Sequence, residues 1–140
     1  MGRVKGFGRI VVGYDGSPPA RRALEQAVSV AADSATITVV AVVPAMVTSL
    51  GPLPPEQGEI DAHRQQLDEA RGLLEGRSVT VRTAERAGEP AHELVEEART
   101  SSADLVVVGT HGTGFAKRLV LGSVSAKVVR EAPCDVLVVR

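Results

Sequence analysis

The sequence predicts a doubly wound α/β fold, a three-layer architecture with a five-stranded parallel sheet and helices on both faces. Three observations carry this. Five short runs rich in β-branched residues alternate with segments of helical period. Four of these runs are continuous in Val, Ile and Leu, as a strand reads when both its faces are covered. The resulting order β-α-β-α-β-α-β-α-β calls for right-handed crossovers between parallel strands.

The first strand is RIVVGYD, residues 9–15, and a helix follows it. Ser17 is its N-cap and Pro18 occupies a tolerated first-turn position, while Ala20, Ala23, Leu24, Ala27, Val28 and Ala31 form one apolar stripe. The second strand is TITVVAVV, residues 36–43. After it, the Pro-rich stretch 44–58 reads as a mobile surface loop near that strand's C-terminal end. A second helix carries the stripe Ile60, His63, Leu67, Ala70 and Leu74, with its charges on the wet side. The third strand, SVTVRTAE at 78–85, alternates Val79, Val81 and Thr83 with polar residues and is therefore expected at a sheet edge. Pro90 opens a third helix with stripe Ala91, Leu94, Val95 and Ala98. The fourth strand is DLVVVG, residues 104–109. The fourth helix begins near Ser123 with Val124, Val128 and Val129 inward and ends before Pro133. The fifth strand, CDVLVVR at 134–140, leaves an apolar edge strand, which folded proteins usually cover.

A length of 140 residues is that of a single domain, 1–140, burying roughly two-thirds of the surface of its unfolded chain. Sixteen Lys and Arg against 17 Asp and Glu give a net charge of -1, which does not announce a nucleic-acid or anionic-membrane partner. Two Phe, one Tyr and no Trp leave too few rings for a base-stacking platform. The single cysteine, Cys134, excludes an internal disulfide framework and a multi-cysteine metal site. The N-terminus lacks a secretory h-region, and the longest mostly apolar stretch, 37–47, falls short of the roughly 20 residues of a spanning helix. A cytoplasmic protein is expected.

In a doubly wound sheet, ligands bind beyond the C-terminal ends of the strands where the strand order reverses. The segment GTHGTGFAKRLVLGSVS, residues 109–125, follows the fourth strand there. Gly109 and Gly112 permit positive φ and close backbone approach to a ligand. Gly122 and Ser123 open a helix whose unpaired N–H groups and dipole favour an anion. The hydroxyls of Ser123 and Ser125 add donors, and Lys117 and Arg118 add positive charge. This is a phosphate cradle, yet neither of the two common kinds. Walker A fails because Phe115 stands where lysine is required, and G-x-G-x-x-G fails because Lys117 takes the last glycine's place.

The spacing that does fit is G-x2-G-x9-G-[ST], at Gly109, Gly112, Gly122 and Ser123. It resembles the universal stress protein family, whose motif of this form binds the phosphates and ribose of ATP. The likeness extends to VVGYDGSPPARRAL, AVVP and LGSVSAKVVREAPCDVLVV, and so runs the length of the chain. It implies the adenine nucleotide α-hydrolase-like form of the fold, with strand order 3-2-1-4-5, and a set of site roles. Asp15 stands near adenine and ribose, Gly13 keeps the strand end uncrowded, and the Val42 backbone meets the adenine edge. Val108 and Gly109 close the ribose side. Gly112, Gly122, Ser123, Val124 and Ser125 hold phosphates, and Arg118 meets the terminal one. The implied cofactor is ATP, with or without Mg²⁺ or Mn²⁺, in a stress-response switch with little or slow hydrolysis; no enzyme activity beyond weak ATPase is expected. The implied partner is a second copy, paired through the strand Asp135–Arg140.

Three alternatives stand beside this reading. A cyclic nucleotide is a live substitute for ATP. A phosphoacceptor domain shares the five-strand plan, but wants an acidic cluster after strand one, an Asp after strand three and a Lys after strand five, of which only Asp15 is present. An ATP-using transferase or ligase lacks its HIGH-type or SGG-D-S signature here. His111 and His92 read as exposed or solvated, His63 as a residue of the apolar stripe, and Cys134 as a small hydrophobe.

Overall fold

A computed structural model describes residues 6–110 and 122–140 of the chain. The elements run β1 (Phe7–Gly13), α1 (Pro18–Val30), β2 (Ala31–Pro44), β3 (Met46–Thr48), β4 (Gly51–Leu53), α2 (Gln57–Leu74), β5 (Thr80–Gly88), α3 (Pro90–Thr100), β6 (Leu105–Gly109), α4 (Ser123–Glu131) and β7 (Asp135–Val139). Five of the strands form a parallel sheet in the order β5-β2-β1-β6-β7. Counting these five strands alone, that is the expected 3-2-1-4-5, with the order reversing between β1 and β6.

The continuous apolar runs are explained by two cores, one on each face of the sheet. Ile10 and Val12 of β1 join Leu24 of α1, Leu67 and Leu74 of α2, and Ile37, Val39 and Val107 on one face. Val11, the residue between them, joins Val40, Val106, Leu94 of α3 and Val128 of α4 on the other. Because side chains alternate along a strand, a central strand needs apolar residues at every position to serve both cores. Each fully buried Val, Leu or Ile contributes about 1.5–3 kcal/mol before conformational entropy is subtracted. β5 lies at an edge and alternates between half-buried and exposed residues, as its sequence implies.

Four local details differ from the sequence reading. Helix α1 ends at Val30, because Ala31 is extended and already opens β2; Ala31 pairs with Phe7 across a register shift, and Ser34 takes a φ of 63° there. The stretch after β2 carries a two-stranded antiparallel hairpin, β3 with β4, closed by the Thr48 hydroxyl donating to the Gly51 carbonyl at 2.7 Å. Its strands are three residues each, too short to register as a period. Helix α2 starts at Gln57, where the Glu59 carboxylate accepts from the Glu56 N–H at 3.3 Å in the manner of a capping box. On α4, Val129 is exposed rather than inward, and Ser125 takes the buried place. No helix among the described residues is long and apolar enough to cross a membrane.

Candidate ligand site at the C-terminal edge of the sheet

The turn after β1 is built by three side chains in succession. The Tyr14 N–H donates to the Val40 carbonyl at 2.9 Å, continuing the β1–β2 ladder one residue past the strand. The Tyr14 ring is buried, and its hydroxyl donates to Glu69 of α2 at 2.8 Å; Arg21 of α1 holds the same carboxylate oxygen at 2.9 Å. Burial first, and then the Glu69 contact, raise the Tyr14 hydroxyl above the ordinary phenol pKa. The Tyr14 hydrogen bond is the main reason that Glu69 lies below the ordinary carboxylate range. This clasp fixes the strand tip against two helices.

Asp15 comes next, exposed, with Oδ1 accepting from the Ser17 N–H at 2.9 Å. This is an Asx-type turn, and Gly16 completes it with a φ of 79°, a region that favours glycine. Ser17 then caps α1 through its hydroxyl, which accepts from the Ala20 N–H at 3.3 Å. Among the described residues, Asp15 Oδ2 has no partner, so the carboxylate keeps an acceptor for a ligand. The local turn role and a binding role therefore coexist in one side chain.

The other wall is the end of β6 and the start of α4. Thr110 donates its N–H to the Val139 carbonyl at 2.8 Å. Its own carbonyl accepts from the Gly122 N–H at 2.7 Å and from the Ser125 hydroxyl at 2.8 Å. Ser125 also reaches the Gly122 carbonyl at 3.1 Å. The end of β6 is thus pinned to the beginning of α4. Gly122 is an extended N-cap with no side-chain cap bond, and the first turn of α4 holds no acidic residue. The helix dipole there carries roughly half a positive charge, available to an anion. Across from it, burial on its own would raise the Glu89 carboxyl, yet the Lys127 ammonium at 3.0 Å and the His92 N–H hold it below the ordinary range, tying the start of α3 to α4.

Between these walls lies a cavity of about 360 Å³, lined from five directions. Gly13, Asp15 and Ser17 come from the β1 tip, Val42 and Pro44 from β2, His63 from α2, Pro90 and Leu94 from α3, and Val108, Gly109, Thr110, Gly122, Ser123 and Val124 from β6 and α4. Eight of the residues predicted from sequence are brought together here: Gly13, Asp15, Val42, Val108, Gly109, Gly122, Ser123 and Val124. Gly112 and Arg118 lie outside the described residues.

Two expectations are corrected. Ser125 is 1% exposed and faces Thr110 and Gly122 instead of the cavity, so its hydroxyl holds the wall. Gly109 is not in the left-handed region, and what approaches it is protein: an added Cβ would stand 2.8 Å from Pro19 Cβ. At Gly13 an added Cβ would meet the rotatable end of Leu94, Cδ1, at 2.9 Å, a softer obstacle. Pro44, Pro90 and Leu94 were missed, although each sits at a strand's C-terminal end or in a helix's opening turns, where the topology places the site. His63 had no such signal, because it lies within α2 on what reads as a packing stripe.

The fold and this cavity define a doubly wound α/β protein whose site opens at the switch point between β1 and β6. Residues 6–140 match the Universal stress protein family. A universal stress protein of Thermus aquaticus is 38% identical over 143 aligned positions, covering 96% of this chain and 99% of the relative. One from Bacillus subtilis is 31% identical over 150 positions, with 96% and 99% covered. Among solved structures, a universal stress protein in complex with cAMP is similar at a TM-score of 0.73 and 30% identity, covering 97% of this chain and 99% of that one. UspA from Lactobacillus plantarum is similar at a TM-score of 0.74 and 24% identity, covering 98% and 100%, a likeness of fold. The chain belongs to the universal stress protein family.

Proposed function

We propose that this chain is a cytoplasmic, ATP-binding universal stress protein that acts as a nucleotide-dependent switch in the stress response. The observation that supports it most is the pairing, across one cavity, of an uncapped helix N-terminus at Gly122–Val124 with the strand-tip carboxylate of Asp15. The first suits phosphate and the second suits ribose hydroxyls or an amine. A cavity of about 360 Å³ is of the size that holds a small organic ligand. Among the described residues no group of three or more His, Cys, Asp or Glu converges. A Mg²⁺ or Mn²⁺ ion arriving with ATP is therefore proposed to be held chiefly by phosphate oxygens. Hydrolysis is taken to be slow, because the described phosphate end, Thr110 and Gly122–Val124, offers no carboxylate or imidazole to activate water.

The test is mass spectrometry of nucleotide released from freshly purified protein, with calorimetric titration of ATP. Gly122→Asp puts a negative charge at the cavity wall and is expected to weaken binding at least tenfold. Absence of both co-purified nucleotide and sub-millimolar affinity sinks the proposal. A second reading, cyclic nucleotide as the ligand, is favoured by the 30%-identical relative solved with cAMP; competition between ATP and cAMP for the same site decides between them. We further propose a homodimer through Asp135–Arg140. β7 has β6 as its one sheet neighbour among the described residues, and Val136–Val139 are half-buried without another copy. Light scattering that finds a monomer at micromolar concentration refutes it.

A further inference from the structure

The strand order gives the cavity two ends. β6 and the start of α4 lie on one side of β1, and β2, with Val42 and Pro44, lies on the other. Helix α2 packs on β2 and β5, so His63, its contribution to the cavity wall, stands at the β2 end. The ring is oriented by its own helix: Nδ1 is 2.7 Å from the Glu59 carbonyl oxygen one turn earlier. A carbonyl oxygen only accepts, so Nδ1 carries the proton, and Nε2 of the neutral imidazole is left as an acceptor. The lining that β2 and α3 supply is poor in polar side chains. Val40, Val42, Pro44, Pro90 and Leu94 have none to offer, and the Tyr14 hydroxyl is donating to Glu69.

We propose that His63 is the base-selecting side chain of this site, its Nε2 accepting a hydrogen bond from the 6-amino group of adenine. The inference rests on the nucleotide reading above and adds to it the side chain that selects the base. An acceptor at this place favours an amino group and disfavours guanine, which presents a carbonyl oxygen at the same ring position. The anion-binding end of the cavity, at α4, is on the far side of β1 and is left to hold the phosphates.

The experiment titrates the wild type, His63→Leu and His63→Gln with ATP and with purine riboside triphosphate, which differs from ATP only in lacking the 6-amino group. The wild type is expected to prefer ATP by roughly 3- to 10-fold, the net worth of one hydrogen bond. His63→Leu removes the preference by weakening ATP alone, and His63→Gln, whose amide oxygen can accept, recovers part of it. A purely structural role for His63 would weaken both ligands equally and leave their ratio unchanged. An unchanged ratio in His63→Leu overturns the assignment of His63 while the nucleotide reading stands. If the wild type binds neither triphosphate, the ATP reading fails and this inference fails with it.

Discussion

Gly109→Ala sets a methyl group where the first turn of α1 crosses the end of β6. The new Cβ would lie 2.8 Å from Pro19 Cβ, 3.3 Å from the Pro19 carbonyl carbon and 3.5 Å from the Ala20 nitrogen. Non-bonded carbons rest at about 3.5–4.0 Å, so the first contact is far inside the repulsive wall. Neither Pro19 atom can rotate away, since one is backbone and the other is locked in a ring. The first turn of α1 must move, carrying the Ser17 cap with it. Overpacking of this kind costs about 1–3 kcal/mol, and alanine returns about 0.4–1 kcal/mol by restricting the unfolded chain. The net expectation for ligand-free protein is a loss of about 1–2 kcal/mol, read as a lower urea midpoint at unchanged slope. Nucleotide affinity falls as well, because Asp15 and Ser17 on the cavity wall move with the helix. Pro19→Gly removes the clashing Cβ, so the double variant should lose less than the sum of the single losses. The reasoning is refuted if ligand-free Gly109→Ala unfolds at the wild-type midpoint while its affinity alone drops. In that outcome the glycine makes room for ligand, as the sequence suggests, and not for α1.

Three further outcomes follow from the same geometry. Ser125→Ala removes the hydroxyl that holds Thr110 and Gly122 and should cost about 1 kcal/mol in chemical denaturation while weakening nucleotide binding; loss of neither would show that the backbone bond between Gly122 and Thr110 suffices. Arg86→Met leaves the half-buried carboxylates of Glu93 and Glu97, each 2.9 Å from the guanidinium, without their cation, and should destabilise by about 1–2 kcal/mol, a value discounted for partial exposure. Tyr14→Phe removes the main cause of Glu69's depressed pKa. The wild-type contribution is present above the ordinary carboxylate value of 4.5 and is lost as pH falls through the lower folded value, so the variant's melting temperature should fall less steeply on acidification below about pH 5; parallel profiles would contradict it.

The sheet was readable because its chemistry is redundant. Val11 and Val12 must serve two cores, so β1 shows no polar alternation, and the edge position of β5 shows in the alternation it keeps. Where a residue's role depends on one long-range partner, the sequence carried no trace of it. Helical spacing places Val129 inward and leaves Ser125 as a polar residue in the first turn, and only the Thr110 carbonyl, fifteen positions away, explains the exchange. The hairpin β3–β4 was invisible for a different reason. Val47 is 78% and Leu50 99% exposed, so no burial pattern is imposed on its sequence. His63 satisfies the helical stripe and lines the cavity at once, and periodicity reports only the first of these.

This redistribution of roles alters what the glycine-serine spacing can be taken to mean. Gly109 is demanded by the rigid Pro19 whether or not a ligand is bound, whereas a Cβ at Gly13 would meet the rotatable end of the Leu94 side chain. Ser125 is demanded by the pinning of β6 to α4. A chain could keep Gly109 and Ser125 for packing and bind nothing. The positions with no structural demand of comparable strength are Asp15, whose turn needs only one of its two oxygens, and Ser123, an exposed residue in an uncapped first helical turn. A ligand therefore explains Asp15 and Ser123 better than packing does, and substitutions there should reduce affinity with little effect on ligand-free stability. Gly109 and Ser125 should show the opposite balance, with stability lost first and affinity lost as its consequence.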